Sequence, residues 1–243
     1  MDKAILKYLR DNGFGEFCPK AVLFDMDGVL YNSMPHHAIA WVQSMQRFGI
    51  TMTPSDAYAT EGARGIDTIR HFVKQQQHKD ISLDEAQKMY DVKTSIFHAM
   101  PEAPVLEGVK ELMRQIVADG LSVNVVTGSG QKPLINRLLS DFGEFLTPDH
   151  ITTAYDVTRG KTAPDPYLSG LRKAGNLQPW QAIVVENAPL GVRAGVAAHI
   201  FTIAVNTGPL PDEALLNAGA NLLFSNMEQL SKSWPRIMSL VTK

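Results

Sequence analysis

The stretch AVLFDMDGV (21–29) decides the fold. Its first four residues are all apolar, and the run stops at two carboxylates one residue apart, followed by a glycine. A short unbroken apolar run of this kind predicts a strand buried on both faces, with polar groups gathered at its carboxyl end. Five later runs are strand-like: LSVNVVTG (121–128), HITTAY (150–155), AIVVEN (182–187), IFTIAV (200–205) and NLLF (221–224). Stretches with helical spacing separate most of them: GVKELMRQIVADG (108–120), PLINRLLSDFG (133–143), DPYLSGLRKAG (165–175) and PLGVRAGVAA (189–198). Strands alternating with helices predict βαβ units and an α/β fold, a Rossmann-like doubly wound parallel sheet with helices on both faces.

The alternation breaks once, immediately after the first strand. Residues 33–100 are rich in Gln, His, Met and Ala and carry helical patterns such as HHAIAWVQSMQRFG (36–49) and LDEAQKMYDVKTSIFHAM (83–100). No strand is legible there. An inserted all-helical cap over 32–103 is therefore expected, with hinges near 32–35 and 101–104, leaving 1–31 and 104–243 as the α/β core. At the N-terminus, Ile5, Leu6 and Leu9 lie at helical spacing and predict a short amphipathic helix ending near Gly13.

The bulk composition narrows the function classes. A chain of 243 residues, 44% hydrophobic and 20% charged, can bury a full core as an ordinary globular protein. Its net charge of −2 gives no basic footprint for nucleic acid or an anionic membrane surface. The single cysteine, Cys18, excludes an internal disulfide framework and points to a reducing compartment. No apolar run approaches the roughly 18 residues that a membrane span needs. The expectation is a cytoplasmic protein, monomeric, with a small-molecule partner.

Ligands of open α/β sheets bind outside the carboxyl ends of the strands. Those ends carry Asp25, Asp27 and Gly28; then Thr127, Gly128 and Ser129; Lys161 beyond the third; and Glu186 with Asn187 after the fourth. Taken singly, an Asp pair after a strand makes a turn, a lysine is a solvated charge, and a TGS step caps a helix. Gathered at one point, they are the parts of a phosphoryl-transfer site. A carboxylate can attack phosphorus, a second can serve the leaving oxygen and then water, and hard oxygen donors suit Mg²⁺. A hydroxyl, backbone amides and an ammonium can hold the charge on the equatorial oxygens.

DMDGV (25–29), TGS (127–129), KTAPDPY (161–167) and VVENAPLGVRAG (184–195) resemble, in order, the four motifs of the haloacid dehalogenase-like superfamily. The spacing is similar to that of the branch with a helical cap inserted after the first motif, which includes β-phosphoglucomutases and many phosphatases. YNSMPHH (31–37), VTGSGQ (126–131), ENAPLG (186–191) and IFTIAVNTGPL (200–210) further resemble a group in that branch whose members include a pyrophosphate hydrolase. The resemblance implies Asp25 as nucleophile and metal ligand. It implies Asp27 as general acid/base that also lends its backbone carbonyl to the metal. Thr127 and Lys161 would bind the phosphoryl group with Gly128 and Ser129 beside them, and Glu186 and Asn187 would complete or orient the Mg²⁺ shell.

Two positions depart from the pattern. Asn187 stands where many relatives have Asp, removing a formal charge from the metal site, and Thr162 follows Lys161 where Pro is common. In the cap, EGARG (61–65) matches a loop that enters the site in related proteins, so Glu61 and Arg64 are specificity candidates. Glu61 either supplies the charge missing at Asn187, directly or through water, or simply caps a helix. His36 and His37 are adjacent on a helix and point about 100° apart, which excludes a chelating pair. His37 falls where mutase-like caps place a hinge histidine, and is retained as a substrate-site residue.

Asp27 argues against dehalogenase chemistry, which does without the second aspartate. A Schiff-base phosphonate hydrolase would need a cap lysine in the site, and nothing marks Lys74 or Lys79. A non-catalytic sensor is disfavoured by the intact Asp25, Asp27 and Lys161. Two readings stay open. One is a Mg²⁺-dependent phosphohydrolase acting on a small phosphorylated substrate, with inorganic pyrophosphate the specific expectation. The other is a β-phosphoglucomutase interconverting β-glucose 1-phosphate and glucose 6-phosphate.

Overall fold

The computed structural model describes residues 1–129 and 132–241. In chain order the elements are α1 (Asp2–Asn12), β1 (Ala21–Phe24), α2 (Met34–Arg47), α3 (Pro54–Ala59), α4 (Gly65–Gln77), α5 (Leu83–His98), α6 (Val109–Ala118), β2 (Ser122–Val126), α7 (Lys132–Phe142), β3 (Ile151–Thr152), α8 (Asp165–Lys173), β4 (Ala182–Glu186), α9 (Pro189–Ala197), β5 (Phe201–Val205), α10 (Asp212–Asn217), β6 (Leu222–Phe224) and α11 (Met227–Met238). The six strands form one parallel sheet in the order β3-β2-β1-β4-β5-β6. The chain winds outward from β1 to β3, then crosses to β4 on the other side of β1. That reversal places the ligand crevice at the carboxyl ends of β1, β2 and β4.

The apolar runs lack polar alternation because both faces of the sheet are covered. Val22 and Phe24 of β1 join the larger core, with Leu112, Met113, Leu138 and Trp234 of the helices on that side. Ala21 and Leu23, pointing the opposite way, pack with Tyr167, Leu171 and Ala194 of α8 and α9. All four β1 residues are fully buried, and each large apolar side chain so placed contributes about 1.5–3 kcal/mol.

Two sequence expectations are revised. The third strand is confined to Ile151–Thr152, because Thr153 turns the chain into a short 3₁₀ segment. Its hydroxyl accepts from the Tyr155 N–H and its own N–H donates to Asp156 at 2.7 Å. In α1, which does end at Gly13 (φ 70°), Leu6 is 66% exposed, and the buried face is carried by Ile5 and Tyr8. The Tyr8 hydroxyl tethers the helix by donating to the His199 carbonyl at 2.9 Å.

Helices α2–α5 follow β1 and have an apolar cluster of their own, built on Trp41, Met45, Ile69, Phe72 and Ala86. Local signals define their ends. Thr53 with Asp56 and Ser82 with Glu85 form capping boxes at the starts of α3 and α5. The chain segments leading into and out of these helices run side by side. The Asn32 N–H donates to the Pro104 carbonyl and the Leu106 N–H to the Leu30 carbonyl, both at 2.9 Å.

Candidate active site

β1, β2 and β4 carry three of the expected groups to one point, and the loop before α8 adds a lysine. Buried Lys161 donates from Nζ to Asp25 Oδ1 and, at 2.6 Å, to Glu186 Oε1. Its ammonium also lies 5.3 Å over the ring of Tyr167, whose hydroxyl donates to the same Glu186 oxygen at 2.8 Å. The other Glu186 oxygen accepts from the Asn187 and Ala188 N–H groups at 2.9 and 3.1 Å. A carboxylate offers about four acceptor sites, so Glu186 is saturated and holds the lysine in place. What the geometry shows is Glu186 orienting Lys161. The Lys161–Thr162 peptide is cis.

Burial drives the Asp25 carboxyl well above the ordinary carboxylate range; Lys161 pulls against that rise and Glu186 adds to it. Burial works against the Lys161 ammonium too, yet Asp25 and Glu186 hold it above the usual lysine value. An anion bound here would meet a fully charged lysine. Thr127 is buried at the end of β2, its hydroxyl accepting from the Ser129 N–H at 3.0 Å. Gly128 and Ser129 line the cavity above it. Gly130 and Gln131, the last two residues of VTGSGQ, lie outside the described residues.

Asp27 sits on the turn after β1. The Ser33 hydroxyl donates to its Oδ1 at 2.5 Å. His37 Nε2 lies 3.3 Å from the same oxygen, within ion-pairing distance but not aligned for a hydrogen bond. Burial opposes ionisation of Asp27, but His37, Ser33 and Lys93 outweigh it and hold the carboxyl at about 2. His37 in turn shares its Nδ1 with Lys93 Nζ at 2.7 Å and stacks on Phe97, ring centroids 4.2 Å apart. His37 thus faces the Asp27 carboxylate as well as the cavity.

Lys93 is a site residue that sequence reasoning missed. It is buried on α5 and its ammonium is surrounded by the rings of Phe97, Trp41 and Tyr90 at 5.1, 5.3 and 5.8 Å. Burial lowers it to about 8, against the attraction of Glu61 and Asp27. Lys74 is instead an exposed residue paired with Asp80 at 3.1 Å, and the lysine that α2–α5 bring to the cavity, opposite Lys161, is Lys93. The available signal was periodicity: Ala86, Tyr90, Lys93 and Phe97 share one helical face, and a lysine there is out of pattern.

The loop 60–64 closes over the strand ends. Gly62, at φ +87°, approaches so closely that a Cβ there would lie 3.3 Å from the Lys161 side chain. Glu61 lines the cavity, and burial raises its carboxyl, offset in part by His37 and Lys93. It is not the N-cap of α4, a position held by Arg64. Arg64 lies at the exposed rim of the cavity, its Nε on Asp67 at 2.7 Å. The enclosed space is about 270 Å³ and also reaches Trp41, Tyr90 and Phe97.

The fit of a divalent ion depends on these donors. Among the described residues no three His, Cys, Asp or Glu side chains form a metal-holding group. The donors that fit are Asp25, Asp27 and an amide. Asn187 is buried, and its Oδ1 has no hydrogen-bond partner. Gly28 makes room for this amide: its φ is +77°, and a Cβ there would lie 2.1 Å from Asn187 Nδ2. An orphaned buried amide oxygen, with the Asp25 carboxylate and the Asp27 backbone carbonyl after β1, makes a set of hard oxygen donors suited to such a cation.

The sequence profile of haloacid dehalogenase-like hydrolases matches residues 22–205, spanning β1 to β5. This chain belongs to that family. This haloacid dehalogenase-like hydrolase is 32% identical over 213 residues to hexitol phosphatase A of Escherichia coli K12, covering 87% of this chain and 93% of that protein. It is 30% identical to validoxylamine A 7′-phosphate phosphatase of Streptomyces hygroscopicus subsp. limoneus, covering 90% of this chain and 98% of that protein. A solved structure from Bacteroides vulgatus, provisionally assigned as a β-phosphoglucomutase, superposes with a TM-score of 0.95 at 45% identity, covering 100% of this hydrolase and 98% of that chain. Among the described residues, no helix of the hydrolase is long and apolar enough to cross a membrane.

Proposed function

We propose that this hydrolase is a Mg²⁺-dependent phosphohydrolase working through an aspartyl-phosphate on Asp25, with inorganic pyrophosphate as its substrate. The observation that carries the reading is the buried Asp25–Lys161–Glu186 chain with Asp27 on the adjoining turn. In this reading Asp25 attacks phosphorus, forming a bond to one carboxylate oxygen while the bond to the leaving oxygen breaks. Asp27, ionised in the free protein, takes up a proton from solvent as the negatively charged substrate enters beside it. It gives that proton to the leaving oxygen and later takes one from the water that cleaves the aspartyl-phosphate. Lys161, the Thr127 hydroxyl and the Gly128 amide hold the equatorial oxygens, with Thr127 steadied by the Ser129 N–H. Asp25, the Asp27 carbonyl and Asn187 would hold Mg²⁺, which when bound offsets charge on the phosphoryl oxygens.

Residues 32–103 act in this reading as a cap swinging on the paired segments near 32–35 and 101–104. Glu61, delivered by the cap, supplies the negative charge that Asn187 lacks. The 60–64 loop lies directly over Lys161, so the reacting phosphoryl group has little height above it, as suits a compact polyanion. Arg64 at the rim and Lys93 behind His37 add positive charge for such a substrate.

A second reading is favoured by the rings of Trp41, Tyr90 and Phe97 in the cavity and by the names of the relatives: a phosphatase or mutase acting on a phosphorylated sugar or polyol. Phosphate release with Mg²⁺ from pyrophosphate, hexitol phosphates and β-glucose 1-phosphate separates them. Preference for pyrophosphate supports the proposal. Preference for a hexitol phosphate, or conversion of β-glucose 1-phosphate to glucose 6-phosphate without release, overturns its substrate assignment.

A further inference from the structure

Arg137, on α7, is a largely buried cation that does not line the substrate cavity. Its Nη2 donates to the Ala103 carbonyl. Its guanidinium lies 4.2 Å over the Tyr31 ring, and Nε is 3.4 Å from Asp141 and 3.7 Å from Glu102. The Tyr31 hydroxyl donates to Asp141 at 2.8 Å, closing the cluster. Tyr31 belongs to the segment that leaves the sheet for α2–α5, and Glu102 and Ala103 to the segment that returns. One guanidinium therefore grips both crossings and fastens them to α7.

The grip reaches the reacting groups through the backbone. The Tyr31 carbonyl accepts from the Gly28 N–H at 2.8 Å, and Tyr31 pairs with Asp27 on one side and Val105 on the other. Two residues further on, Ser33 donates to the Asp27 carboxylate. Movement of the crossings thus moves the turn that carries Asp27 and Gly28. Immobilising and desolvating an arginine is costly; here all its partners lie on the crossings or on α7 itself.

We propose that Arg137 is a positioning residue: it clamps the two chain crossings to α7 and thereby fixes Asp27 relative to Asp25. The proposal rests on the phosphohydrolase reading only for its effect on turnover.

The test compares Arg137→Lys, Arg137→Met and Arg137→Ala with the wild type by hydrogen exchange of the free protein, read by mass spectrometry. In Arg137→Met, segments 29–34 and 101–107 should exchange at least about tenfold faster, the scale of one lost charge-assisted hydrogen bond, with β1, β2 and β4 unchanged. Arg137→Lys should fall between. The clamp borders a second cavity of about 170 Å³, so dilute guanidinium should restore protection in Arg137→Ala. With p-nitrophenyl phosphate and Mg²⁺, the same additive should raise turnover of Arg137→Ala and leave the wild type unchanged. Unaltered exchange at the crossings overturns the proposal, as does acceleration spread evenly over the sheet. Exchange is read without substrate, so failure of the pyrophosphate assignment would leave the clamp standing.

Discussion

Lys93→Met should make the protein more stable at neutral pH while impairing it as a catalyst. Burial takes the Lys93 ammonium from its ordinary 10.5 down to about 8, so keeping it charged at pH 7 costs about 3 kcal/mol. Three aromatic faces between 5.1 and 5.8 Å away return about 1–2 kcal/mol. Methionine fills similar space without the charge, for a net gain of about 1–2 kcal/mol. In a chain of this length that corresponds to a Tm roughly 3–6 °C higher. The pH dependence has a fixed sign. Below pH 8 the lysine is charged in both folded and unfolded states and its cost is fully present. Between about 8 and 10.5 the unfolded chain binds the extra proton, so the wild type recovers stability as pH rises, and the Met variant's advantage shrinks. Calorimetry of both proteins without divalent cation, from pH 6.5 to 10, reads this directly. A variant that melts below the wild type at pH 7, or a gap that does not change with pH, refutes the reasoning.

Gly28→Ala should cost about 1–3 kcal/mol from its left-handed backbone alone, and the collision with Asn187 should also weaken Mg²⁺ activation, seen as a higher Mg²⁺ midpoint in phosphate-release assays. Tyr167→Phe removes the hydroxyl from Glu186; a hydrogen bond to a charged group is worth about 1.5–3 kcal/mol, so kcat should fall by about tenfold or more with the fold retained by circular dichroism. Glu61→Gln should raise the Mg²⁺ requirement and lower turnover of pyrophosphate; unchanged Mg²⁺ dependence and rate would remove Glu61 from the metal's surroundings.

The sheet was legible because a parallel strand buried on both sides is mostly apolar, and AVLF, VNVV and AIVVE are, Asn124 and the terminal Glu186 apart. Asp25, Thr127, Lys161 and Glu186 were legible because strand ends are where an α/β sheet exposes chemistry, and the motifs give their order. Lys93 was not, since one lysine in a polar helix looks like a solvated charge until Ala86, Tyr90 and Phe97 are seen to share its face. Saturation of Glu186 by Tyr167, Lys161 and two amides is a property of geometry that spacing alone does not carry. The Arg137 cluster was equally hidden: Tyr31, Ala103 and Asp141 are far apart in sequence, and only the pairing of the two crossings brings them together.

The central claim is that Asp25 carries the phosphoryl group. Rapid quenching of a single turnover of ³²P-labelled pyrophosphate with Mg²⁺, followed by borohydride reduction and peptide mass mapping, tests it most directly. The account predicts labelled protein, homoserine at position 25, and loss of both label and phosphate release in Asp25→Asn. Phosphate release undiminished in Asp25→Asn, with no label on the protein, would contradict it.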